Sequence, residues 1–121
     1  MGDQLTEKII AAAIEVHKTL GAGLLESIYE EAMCFELDSM GVAFQRQVAI
    51  DVSYKGHVIH GQRLDLLVEN EVVVEVKSLR SLPEIATAQL LSYLKATGLK
   101  RGLLLNFGEK HLVTGIKRIS L

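Results

Sequence analysis

Tryptophan is absent, and only three Phe and three Tyr occur in 121 residues. That argues against a surface that stacks bases on aromatic rings, so any grip on nucleic acid has to run mainly through its backbone. The single cysteine, Cys34, cannot form an internal disulfide, whereas small secreted domains usually carry several. No apolar run approaches the roughly 18–20 residues that cross a bilayer. The opening MGDQLTEKII has no basic stretch leading into an apolar one, as a secretory leader would. Repeats, linkers and low-complexity stretches are also missing. These absences point to a cytoplasmic protein with no membrane partner.

What is present is a globular composition, 49% apolar and 23% charged, suited to one domain over residues 1–121 with a modest core. The net charge of −2 conceals an asymmetry. In residues 1–76 five Lys/Arg stand against thirteen Asp/Glu; in 77–121 eight stand against two. The pattern suits an ordinary solvated surface, or equally a basic face beside an acidic site, as a phosphodiester-binding enzyme would have.

Helical periodicity predicts a first helix over 6–20, capped by Thr6, with Ile9, Ile10, Ala13, Ile14 and His17 on its inner face. After Gly21-Ala22-Gly23, a second helix is expected over 24–40, with Leu25, Ile28, Tyr29, Ala32, Met33, Leu37 and Met40 inward. The rhythm then becomes that of strands: 43–54, a turn at Lys55-Gly56, 57–69, a turn at Asn70-Glu71, and 72–78. Ser81-Leu82-Pro83-Glu84 has capping-box spacing and starts a helix that ends at Gly98. The run from Gly102 to Phe107 reads as a strand covered on both faces, and a last strand is expected over 111–119. The order α-α-β-β-β-α-β-β implies an α/β fold, a mixed central sheet flanked by helices.

The unusual feature lies in Val72-Val73-Val74-Glu75-Val76-Lys77, a core strand carrying two ionisable groups. Alternation puts Glu75 and Lys77 on one face. Folding the hairpin brings Asp65 of the preceding strand into the neighbourhood of Glu75. Two carboxylates and an ammonium in that arrangement suit a hard divalent cation, Mg²⁺ or Mn²⁺, and phosphoryl chemistry. The same pattern also fits a solvated stripe on an edge strand. Gln89 and Tyr93 stack at i,i+4 beside an apolar seam of Ala86, Leu90 and Leu94. Glu26 borders the buried face of the second helix, four residues before Glu30. His17 suits a hydrogen-bonded core residue, Cys34 suits packing, and His57 and His60 make a poor ligand pair.

Taken together, Gly23-x-x-Glu26-x-x-Tyr29, Asp65, Glu75-Val76-Lys77, Gln89-x-x-x-Tyr93 and Asn106-Phe107-Gly108 resemble the GxxExxY proteins of the PD-(D/E)XK nuclease superfamily. The resemblance runs from Leu5 to Ile119. It implies a restriction-endonuclease-like core in which Asp65 and Glu75 bind metal, with the Val76 carbonyl as a further ligand. Lys77 would be the catalytic lysine, Glu26 the acidic residue from the helix before the sheet, and Gln89 with Tyr93 the QxxxY pair. The expected activity is metal-dependent hydrolysis of nucleic acid, DNA foremost, by a homodimer or with a partner protein. The alternative is a catalytically silent nucleic-acid-binding or protein-interaction module on the same fold.

Overall fold

The computed structural model describes residues 3–121; the first two residues of the expected 1–121 domain lie outside it. Helix α1 spans Gln4–Leu20. Asp3, not Thr6, caps it: the Asp3 carboxylate accepts from the Leu5 amide at 3.0 Å and from the Thr6 hydroxyl at 3.0 Å. Thr6 is thus drawn into the buried face, which is Thr6, Ile9, Ala12, Ala13 and Val16. Ile14 faces outward, because close packing against α2 and the sheet favours the small residues Ala12 and Ala13 over the bulkier one.

Helix α2 spans Glu26–Ser39. It buries Tyr29, Glu30, Met33, Cys34 and Leu37, while Leu25 (71% exposed), Ile28 and Met40 point outward, contrary to expectation. Leu25 leaves the core because it occupies the extended N-cap position, before helical periodicity begins.

Five strands follow in the sheet order β1-β2-β3-β4-β5: β1 (Phe44–Tyr54), β2 (His57–Val68), β3 (Val72–Lys77), β4 (Arg101–Asn106) and β5 (Ile116–Ser120). Strands β3 and β4 are parallel and all other neighbours antiparallel, so the sheet is mixed. The β2–β3 turn places positive φ at Glu69 and Asn70, one residue earlier than the expected Asn70-Glu71. Helix α3 (Glu84–Thr97) makes the crossover from β3 to β4. Pro83 is its N-cap residue and no side chain caps it, so the capping box of Ser81 and Glu84 does not form. Gly98, in the left-handed region at φ 76°, ends it as expected. Before β5 comes a 3-10 turn, Leu112–Gly115, where a strand was expected. Leu112 and Gly115 are buried there, and Gly115 sits so close to the Asn106 carbonyl that a side chain would collide with it.

The sheet separates two apolar clusters. On one face Val72, Val74, Val76, Leu66, Val68, Leu103 and Leu105 meet α1 and α2. On the other, Val73, Leu104, Leu64, Ile50 and Ile119 meet Ala86, Leu90 and Leu94 of α3, the seam expected from the sequence. The element order and mixed sheet flanked by helices are those of the expected restriction-endonuclease-like fold.

Candidate active site

The β2–β3 ladder runs through Val68↔Val72, Leu67↔Val73 and Leu66↔Val74. Asp65 and Glu75 come next, and there side chains replace the ladder. The Asp65 amide donates to Glu75 Oε2 at 2.9 Å, and the Val76 amide donates to Asp65 Oδ2 at 2.8 Å. The two carboxylates therefore converge where the strands part, each clipped by one oxygen to the opposite backbone. Strand β3 is central in the sheet and Glu75 is 5% exposed, which removes the reading of a solvated stripe on an edge strand.

Electrostatics at this point are set by burial. Glu75 is pushed up to about 7, first by desolvation and then by the negative charge of Asp65. Asp65 is also raised, chiefly by desolvation, against the opposing pull of the Val76 N–H. Lys77 lies near enough to both for its charge to favour their ionised forms, yet among the described residues it makes no salt bridge. Tyr93, half-buried on α3, feels the two carboxylates: its hydroxyl is raised by desolvation and then by Glu75 and Asp65. Gln89, one turn earlier, is exposed.

Glu26 sits at the rim. Its Oε2 accepts from the Ser78 amide at 3.4 Å, just past Lys77. The carboxylate that influences Asp65 and Glu75 from the helices is that of Glu30. Glu30 is buried, receives Arg46 Nε at 2.6 Å, and is joined to Asp65 through the Gln47 amide. Sequence reasoning noted Glu30 only for its spacing from Glu26 and missed Arg46 and Gln47. Like charges four residues apart on a helix call for a nearby cation, and Arg46 supplies it to Glu30.

The segment after Lys77 is held from two sides. Tyr29 donates to the Gly21 carbonyl and accepts from the Leu24 amide at 3.1 Å, and its ring stacks on Phe107 at 4.6 Å. That fixes the loop whose Leu24 carbonyl accepts from the Ser78 hydroxyl at 2.6 Å. Opposite, the fully buried Asn106 accepts from the Leu79 and Gly108 amides and donates to the Leu79 carbonyl. The Phe107 amide donates to the Lys77 carbonyl at 2.8 Å. Gly108 approaches the Leu79 backbone too closely for any Cβ. His17 Nε2 donates to the Glu109 carbonyl at 2.8 Å, and Cys34 is buried.

The positive residues of the last third do not form one face beside the carboxylates. Register puts Lys100, Arg101 and Arg118 toward the opposite end of the sheet from Lys77, while Arg80 and Lys110 lie in loops at the Lys77 end. Arg101 is paired with Asp3 and Glu71.

Two hard-oxygen carboxylates with raised pKa, sharing a buried spot beside an ammonium, fit a divalent cation: it would relieve their mutual repulsion, and one oxygen of each is left over from the backbone clips. Among the described residues no three His, Cys, Asp or Glu side chains gather at one point. No described helix is long and apolar enough to cross a membrane.

No curated protein and no solved structure matches the chain. A family model described as the PD-(D/E)XK nuclease superfamily matches residues 3–119. With nearly the whole length matched and two acidic side chains meeting beside a strand lysine, the chain belongs to the PD-(D/E)XK nuclease superfamily.

Proposed function

We propose that this protein is a divalent-metal-dependent nuclease of the GxxExxY type, a single domain over residues 1–121 that hydrolyses phosphodiester bonds, with DNA as the foremost substrate and Mg²⁺ or Mn²⁺ as the ion. The observation that carries the reading is the pair of mutual clips between Asp65 and β3 and between Glu75 and β2, with Lys77 on the same face as Glu75. Asp65, Glu75 and the Val76 carbonyl are the groups we assign to hold the ion; Glu26, which does not gather with the two carboxylates, stays at the rim on the Ser78 amide. The chemistry such an ion supplies is Lewis acidity toward a phosphoryl oxygen and toward water. Lys77 orients the attacking water as a hydrogen-bond donor and offsets the charge that builds on the phosphate. Gln89 and Tyr93 position Lys77 or the substrate from α3. A domain of this size leaves little surface for a duplex, so we assign a homodimer or a partner protein to complete the grip, and the cytoplasm as its place of work.

The test is incubation of labelled single- and double-stranded DNA and RNA with Mn²⁺, wild type against Lys77→Ala. Cleavage by the wild type is expected to fall about 10²–10⁴-fold in the variant while Mn²⁺ uptake persists. Equal cleavage by both proteins refutes the assignment of Lys77. Binding without cleavage by the wild type identifies a silent nucleic-acid-binding module.

A further inference from the structure

Strand β1 takes one irregular step beside the carboxylates. Gln47 has φ +53°, a left-handed conformation that non-glycine residues seldom adopt in a strand. The step changes which face the strand presents: Phe44 packs with α1 and α2, whereas Val48 and Ile50, of the same parity, pack with α3. It also aims the Gln47 side chain at two acids from different elements. The amide nitrogen donates to Glu30 Oε1 at 2.8 Å and, at a longer 3.4 Å, to Asp65 Oδ1. An amide has two N–H hydrogens, so one group serves both.

Each end of this bridge is anchored. Glu30 is 7% exposed and its other oxygen receives Arg46 Nε at 2.6 Å, while Arg46 also reaches Glu31 at 2.8 Å. The Gln47 carbonyl accepts from Arg63 Nη1 at 3.3 Å. At the far end Asp65 Oδ2 is held by the Val76 amide at 2.8 Å. With Oδ1 on Gln47 and Oδ2 on β3, the Asp65 carboxylate is held at both oxygens. Backbone strain kept at such a place marks a position under functional demand.

We propose that Gln47 is a positioning residue: its amide, seated on the Glu30–Arg46 ion pair, sets the orientation in which Asp65 works. What Asp65 works on rests on the nuclease reading above; the bridge itself does not. Partners that orient a ligating side chain typically change ion affinity 10–100-fold when removed.

Gln47→Gly is the informative variant, because glycine accepts the positive φ while the side chain that carries the amide is removed. Without divalent ions it is expected to melt within a few degrees of wild type. Calorimetric titration with Mn²⁺ should show affinity about tenfold weaker or more, and cleavage should lose kcat at unchanged KM for nucleic acid. Mn²⁺ affinity equal to wild type overturns the proposal. If Gln47→Gly melts far below wild type, Gln47→Asn replaces it; asparagine tolerates the left-handed backbone but its amide is one methylene short, so the same loss is expected. If wild type itself takes up no Mn²⁺, the nuclease reading fails, and a double-mutant cycle of Gln47→Gly with Asp65→Ala decides the bridge alone. Non-additive shifts in melting midpoint support it and additive shifts overturn it.

Discussion

Glu75 carries the clearest pH signature in the molecule. Its unfolded-state value is near 4.5 and its folded value about 7. Between those limits the folded chain holds a proton that the unfolded chain has released, so stability falls as pH rises. The contribution is complete below about pH 4.5 and gone above about pH 7, of order 3 kcal/mol at most, and the raised Asp65 acts in the same direction. Thermal melts across this range without divalent ions should show the decline, and Glu75→Gln should flatten it. Mn²⁺ should raise the melting midpoint more at pH 8 than at pH 5, since it competes with the proton for the same oxygens; an equal rise at both values would falsify the assignment of these carboxylates as ligands. At this scale the sequence was legible where alternation is strict. Glu75 and Lys77 on one face, with Asp65 brought near by a hairpin, follow from period two alone. Gln47 was not legible, because its role comes from a left-handed step and a contact across to α2, neither of which hydrophobic pattern encodes.

At the scale of elements, two pins hold the segment after Lys77. Asn106 is the more exacting: fully buried, it makes three hydrogen bonds, and Asn106→Ala strands the Leu79 amide and carbonyl. A loss of about 2–4 kcal/mol is expected in chemical denaturation. Gly108→Ala should cost more than an ordinary surface change, because the Leu79 backbone has to move to admit the methyl group; a variant as stable as wild type would contradict the contact. Element order was readable because turns at Lys55-Gly56 and Gly98 carry their own backbone chemistry. Helix faces were less so. Ile14, Leu25, Ile28 and Met40 are apolar yet exposed, while Ala12 and Glu30 are buried, since proximity between α1, α2 and the sheet selects for size and for the Arg46 partner rather than for hydropathy.

For the molecule as a whole, charge is divided between the two ends of the sheet. If nucleic acid is held at the Lys77 end, Lys110→Glu should weaken its binding and flatten the salt dependence, while Lys100→Glu, at the opposite end, should leave both nearly unchanged. Fluorescence anisotropy over a range of salt concentrations distinguishes the two. The lopsided composition was visible in the sequence, but its arrangement was not, because only the strand register tells which cations share an end.

The parallel pairing of β3 with β4 has a consequence for synthesis. A ribosome releases β2, β3 and all of α3 before Arg101–Asn106 emerges. Until that strand arrives, the far border of β3 stays open and Asn106 has yet to fasten Leu79. Whatever the acidic centre does, a chain released only as far as Thr97 lacks that support: the emergence of β4 arms the molecule.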